Sequence, residues 1–245
     1  MNLLSYFGKY VLFLKSMFNR PENLRMYWRE TIRQMNIIGV ESIPIVAVVA
    51  LFIGGVTAVQ FAYQVKDFLV PVYYIGFIVR DTMIIEMAPT VSCMILAGKV
   101  GSNMSSELGN MRITEQIDAL EVMGVNSLNY LVFPKIIALL TYPFLIAIAM
   151  FLGIFGGLIA GVYGGFVSLD EFIRGLQEDF IPFHLVYAFV KTYVFAFILA
   201  TVPAWHGYYM KGGALEVGKA STKSFVWTSV LIILANYIIT QLLLS

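Results

Sequence analysis

The sequence predicts an all-α membrane protein: five transmembrane helices preceded by an amphipathic helix. Three observations predict it: the composition, a set of apolar runs of bilayer length, and a lopsided distribution of Lys and Arg between the segments that join them. Of 245 residues, 59% are apolar and 13% charged, against about 45–50% and about 25% in a soluble domain. Mean hydropathy is +0.81. This excludes a disordered chain and a disulfide scaffold. A net charge of +1 offers no field for a polyanion, so nucleic acid is not an expected partner. Cys93 is the only cysteine and has no internal partner to pair with. Residues 1–245 read as a single membrane domain.

A membrane helix needs about 20 largely apolar residues. Residues 43–65 are uncharged. Residues 72–97 are long enough but hold Arg80, Asp81 and Glu86. The uncharged run Ile136–Leu169 supplies a third span, set at 136–162. Residues 185–209 form a fourth, with Lys191 inside it, and 224–245 an uncharged fifth. Five spans put the termini on opposite sides. Lys9, Lys15, Arg20, Arg25, Arg29 and Arg33 precede the first span. Lys99, Arg112 and Lys135 lie between spans two and three, and Lys211, Lys219 and Lys223 between spans four and five. The opposite loops hold only Lys66 and Arg174. The positive-inside rule then predicts a cytoplasmic N-terminus and a periplasmic C-terminus.

Residues 1–38 read as interfacial and cytoplasmic helices. No small-residue cleavage site follows a short apolar core, so a signal peptide is not predicted. Leu3, Phe7, Tyr10, Val11, Leu14 and Phe18 recur at helical spacing. They predict a helix lying in the interface with this face in the acyl boundary. The alternative is a cytosolic helix packed on the domain. Pro21 is expected to end it, and a more polar helix from about Glu22 to Met35 to lead into the first span.

Catalytic machinery is sparse. His184 and His206 stand near opposite ends of the fourth span and cannot converge on one metal or nucleophile. Thr90, Ser92 and Cys93 have no histidine near them in sequence. No glycine-rich phosphate loop with a following lysine and hydroxyl is present. The chain is therefore expected to be no enzyme and to hold no cofactor or metal. The second span is more informative. A charge at the bilayer centre costs roughly 2.5–3.5 kcal/mol on insertion scales, so Glu86 is expected to face a pathway or a partner. Arg80 or Lys191 is the available counter-charge. Pro89 should free the carbonyl of Ile85 and kink the helix. Gly153, Gly157, Gly161 and Gly165 recur every four residues in the third span, beside a second row of Gly156, Ala160 and Gly164. Such rows let another helix approach closely, within one subunit before a dimer contact. Between spans two and three, Glu115, Gln116, Asp118 and Glu121 form an acidic helical patch beside Ile117 and Leu120.

Two blocks are more specific. The first runs Glu86, Pro89, Ala97, Gly98, Val100, Gly101, Ser102, Glu107, Leu108, Gly109 and Met111, then Thr114 through Glu121, Met123 and Gly124. The second runs Gly207, Tyr208, Gly213, Ala214, Glu216, Val217, Gly218, Ala220, Thr222 and Lys223. With the order of helices, they resemble the MlaE-type permease subunits of the ABC transporters associated with mammalian-cell-entry (MCE) proteins, over nearly the whole chain. The resemblance implies a homodimer in a bacterial inner membrane, paired with a cytoplasmic ATPase that binds ATP and magnesium, and a periplasmic ring of MCE-domain proteins. The cargo would be phospholipid or a related lipid, in the service of outer-membrane lipid asymmetry. Residues 110–126, with Glu115, Gln116, Asp118, Leu120, Glu121 and Gly124, resemble the coupling helix that fits the ATPase. Glu86, with Pro89 and Arg80, would belong to the lipid pathway. Ile85 and Lys99 stand where the family commonly has arginine.

The rival reading is an ion-coupled secondary transporter with Glu86 as the titrating group. It normally carries an internal repeat, and none is visible in the sequence. An intramembrane enzyme and a purely structural subunit are further alternatives.

Overall fold

In hydrocarbon an uncharged run can satisfy its own backbone only as a helix or a closed barrel. The computed structural model, which describes residues 3–17, 24–65 and 70–244, is built of helices, with no strand among the described residues. In chain order they are α1 (Leu3–Met17), α2 (Leu24–Ile38), α3 (Ile43–Val65), α4 (Tyr74–Thr82), α5 (Ala88–Leu96) and α6 (Ser102–Ile113). Then come α7 (Gln116–Val122), α8 (Ser127–Leu139), α9 (Tyr142–Tyr163), α10 (Leu169–Gln177), α11 (Phe183–Tyr208) and α12 (Ala214–Leu243). Five helical runs are long and apolar enough to span a membrane: Tyr27–Val65, Tyr74–Ile113, Ser127–Tyr163, Phe183–Tyr208 and Ala214–Leu243. All five predicted spans are there, and several are longer than predicted. Their polar ends carry the helix onward because a helix can continue wherever its polar side chains find water or a partner.

Three boundaries need correction. The third span starts nine residues early, at Ser127, where the Asn126 side chain accepts from the amide of Asn129 at 3.1 Å and caps α8. Lys135 is consequently a buried helical residue paired with Glu107 at 2.6 Å, not a loop cation. The predicted helix 110–126 is two: α6 ends at Ile113, Glu115 turns the chain in the left-handed region (φ 57°), and α7 follows. Third, α2 runs on through Gly39 and a short 3₁₀ turn at Val40–Ser42 straight into α3. Phe18, Arg20, Pro21, Glu22 and Lys66 lie outside the described residues, and with them the expected stop at Pro21.

The chain packs as two compact units, each gathered from three stretches. The first takes Met1–Glu41, Met94–Tyr142 and Val194–Tyr237. Here Phe13 and Met17 of α1 are buried, Phe13 edge-on to Trp205 with ring centres 5.3 Å apart. Asn129 donates to the carbonyl of Met17 at 3.0 Å. Burial pushes the Tyr10 phenol up, so it stays protonated and donates to Thr201 at 2.7 Å. The packed side of α1 is therefore Tyr10, Phe13 and Met17. Val11, predicted to be on the apolar face, is 45% exposed, and Leu12 is 66% exposed. The helix docks on its own unit because those aromatic partners exist there, while Val11 and Leu12 stay outside.

The second unit takes Ser42–Cys93, Pro143–Tyr193 and Ile238–Ser245. Its centre is a backbone-to-backbone crossing. A Cβ on Gly54 of α3 would stand 1.7 Å from the carbonyl oxygen of Gly153, and one on Gly156 would stand 2.1 Å from that of Leu51. Gly157 meets Val79, and Gly161 meets Val167. Gly165 departs from the row. Its φ is +69° with no atom near its missing Cβ, and the bonds Gly165 N to Val162 O and Phe166 N to Gly161 O close a Schellman cap on α9. It ends the helix and packs nothing.

Candidate functional site

Proline at position 89 has no amide hydrogen to give the carbonyl of Ile85. The chain responds with a π-helical turn at Met83–Met87 between α4 and α5, a geometry that often marks functional positions. The freed Ile85 carbonyl accepts from Lys191 Nζ of α11 at 3.1 Å. The same ammonium reaches Glu86 Oε2 at 2.6 Å and Tyr187 Oη at 3.2 Å. Glu86 Oε1 accepts from Thr90 at 3.0 Å, and Tyr187 Oη lies 2.7 Å from Thr240 Oγ1 of α12. A polar chain thus ties the π turn, α11 and the end of α12 together inside the second unit. Lys191 is wholly buried, whereas the Glu86 side chain is 35% exposed. The carboxylate is the one charged end of this chain that a ligand can reach.

Arg80 is not the partner of Glu86. Its guanidinium pairs with Asp81 at 2.8 Å and donates to the carbonyls of Leu176 and Glu178 at 2.8 Å and Asp179 at 3.4 Å. It lies 4.8 Å from the centre of the Phe77 ring. A planar, permanently charged group with several donors suits the unpaired carbonyls at the end of α10. Arg80 also borders an apolar groove of about 360 Å³ with Ile84, Met150 and Phe180, but its own polar atoms are engaged on α10. Replacing it with methionine should leave those carbonyls unpaired at a cost of about 1–3 kcal/mol. Limited proteolysis then cleaves around Leu176–Asp179 faster; an unchanged rate would show that Arg80 does not hold α10.

The acidic patch is only partly free. Asp118 pairs with Arg112 at 2.7 Å, and Glu121 accepts from Ser127 and Tyr208, each at 2.9 Å. Ile117 is buried under α7. Glu115 and Gln116 are exposed and Leu120 is half-buried. Gly124 sits at φ +79° and turns the chain after α7. The conspicuous residues are Val122, 89% exposed, and Met123, 68% exposed.

Residues 31–242 match the family described as Permease MlaE. The chain belongs to the MlaE permease family. A Rickettsia bellii protein named "Probable ABC transporter permease protein" is 34% identical over 96% of this chain and 91% of its own length. "Intermembrane phospholipid transport system permease protein MlaE" of Haemophilus influenzae is 26% identical over 93% of this chain and 87% of its own. "Protein TRIGALACTOSYLDIACYLGLYCEROL 1, chloroplastic" of Arabidopsis thaliana is 28% identical over 89% and 62%. The protein is a multi-pass membrane permease of the ABC-transporter type.

Within this MlaE-family permease, reading the sequence paired Glu86 with Arg80 or Lys191, and geometry selects Lys191. It missed Tyr187, Thr90 and Thr240. The signal for Tyr187 was its place four residues before Lys191 on one helix face. It also passed over Val122, and gave Met123 no role beyond its place in the Glu86–Gly124 block; both look like ordinary apolar filling until their exposure is known.

Proposed function

We propose that the chain is the membrane subunit of an ABC transporter moving phospholipid between a bacterial inner membrane and a periplasmic ring of MCE-domain proteins. It would act as a homodimer, driven by a separate cytoplasmic ATPase that binds ATP and magnesium, and serve outer-membrane lipid asymmetry. The observation that carries this is the near full-length match to a permease named for intermembrane phospholipid transport. The geometry is in keeping with it. Glu86 offers a reachable carboxylate in apolar surroundings, beside Pro89, whose ring forces the turn. Helix α12 is the least buried of the five spans, with Trp227, Leu234 and Tyr237 exposed, and would give a second copy an apolar face.

With the N-terminus cytoplasmic, α7 and its flanks would face the ATPase. Val122 and Met123 would enter an apolar groove, with Glu115, Gln116 and Leu120 beside them, while Asp118, Glu121 and Gly124 shape the element from within. Val122→Asp with Met123→Asp should abolish copurification of the ATPase without changing the permease's own gel-filtration profile. Full copurification would count against this assignment. Gly124→Trp is a poorer probe, because a side chain at φ +79° strains the turn itself. The overall reading is tested by affinity purification from the native membrane with protein and lipid mass spectrometry. Recovery of an ATPase, an MCE-domain protein and stoichiometric phospholipid is expected. A lone chain that moves solute in liposomes on an ion gradient would instead make it a secondary transporter.

A further inference from the structure

The link between α11 and α12 holds a charged feature that neither Glu86 nor the coupling segment uses. A cavity of about 230 Å³ lies there, lined by Lys211, Lys219, Lys223, Glu216, Trp205 and Tyr209 among others. Glu216 is engaged with Lys219 at 2.6 Å. Lys211 and Lys223 have no ion-pair partner among the described residues. Three ammonium groups therefore share one carboxylate, and the cavity keeps an excess of positive charge. All of it belongs to the first compact unit.

Its depth follows from the sequence on either side. Helix α11 carries no Asp, Glu, Lys or Arg after Lys191, and after Lys223 the chain is uncharged to its last residue. The lysines thus mark the edge of two membrane-length helices, the level at which lipid headgroups lie. Trp and Tyr favour that level, with an apolar body on the hydrocarbon side and a polar tip in water. Lysine stems reach along such a surface and hold their ammonium groups in the headgroup layer. Basic pockets between membrane helices are suited to anionic headgroups.

We propose that this cavity binds the phosphate of an anionic phospholipid as a resident lipid, separate from the transported cargo. The bound phosphodiester takes charge-assisted hydrogen bonds from Lys211 and Lys223, and the Trp205 and Tyr209 rings flank its glycerol end. The inference needs only that α11 and α12 span the membrane, so it stands or falls apart from the transport reading.

The test is native mass spectrometry of the full chain in detergent, titrated with phosphatidylglycerol, with phosphatidylcholine and with inorganic phosphate. Phosphatidylglycerol is expected to bind roughly thirtyfold more tightly than phosphatidylcholine, the order of effect for two lysines at a membrane surface. Lys211→Gln with Lys223→Gln removes that preference, and Lys9→Gln with Lys15→Gln on α1 leaves it intact. Equal binding of the two lipids, or a preference that survives loss of Lys211 and Lys223, overturns the proposal. Displacement of the lipid by inorganic phosphate assigns the site to a soluble anion and overturns it as well. If the double variant fails to fold, bromine-labelled phosphatidylglycerol still decides. It must quench tryptophan fluorescence more than the phosphatidylcholine analogue, and Trp205→Phe must abolish the excess.

Discussion

Glu86→Leu is expected to lower the apparent melting temperature of the detergent-solubilised permease more than Lys191→Met does. The two members of the pair are unequally buried: Lys191 is fully enclosed, and Glu86 is about one-third exposed. Removing the carboxylate takes the one opposite charge of this bond chain from a fully buried ammonium, which keeps the neutral acceptors Ile85 O and Tyr187 Oη. Breaking a buried pair from one side costs about 3–5 kcal/mol. Removing the lysine instead leaves a carboxylate that water reaches and that Thr90 still serves. Its main penalty is the Ile85 carbonyl, about 1–3 kcal/mol for an unsatisfied buried acceptor. The double variant should cost about 0.5–3 kcal/mol less than the sum, the range for two residues of one bonded network, because neither single variant's stranded partner then remains. Additive losses, or a larger loss from Lys191→Met, would break this account. Glu86→Gln separates structure from transport. It keeps an oxygen acceptor for Lys191 and removes the charge. A folded Glu86→Gln permease with normal lipid flux would make Glu86 a structural residue.

The second large effect is expected at the crossing of α3 and α9. Gly54→Ala places a methyl carbon where the carbonyl oxygen of Gly153 already stands, 1.7 Å away. Overpacking costs about 1–3 kcal/mol when neighbouring side chains can yield. Here the obstacle is backbone, so the cost lies at or above the top of that range. Gly156→Ala meets the Leu51 carbonyl in the same way. Both variants should elute as aggregates in gel filtration. The contrasting control is Gly218→Ala on α12. No atom lies within reach of a Cβ there, and replacing a helical glycine gains about 0.5–1 kcal/mol. Monodisperse Gly54→Ala with unchanged thermal stability would show that the two helices have room to separate.

The five spans were legible because hydrocarbon permits few solutions: a run of about 20 apolar residues must be a helix. Family membership was equally legible from the block between Glu86 and Gly124, where the order of residue types is specific. Helix ends were less so. Whether residues 127–135 are loop or helix turns on the Asn126 cap and on Glu107 accepting the charge of Lys135. Neither is a local property of the run.

Composition and periodicity alone determine that this is a five-span α-helical membrane protein with an ionisable residue placed in an apolar span. Pro89 alone determines that the Ile85 carbonyl is released, because a proline nitrogen carries no hydrogen. Which cation answers that carbonyl and the neighbouring carboxylate is decided by tertiary packing. Arg80 is close to Glu86 in sequence, yet its guanidinium is drawn to the open carbonyls at the end of α10. Lys191 lies more than a hundred residues away and is brought there by α11. The same holds for the glycine row, where Gly153, Gly157 and Gly161 pack and Gly165 caps. Spacing along a chain sets which face a residue occupies, but only the neighbouring helix settles whether that face meets backbone, a side chain or water.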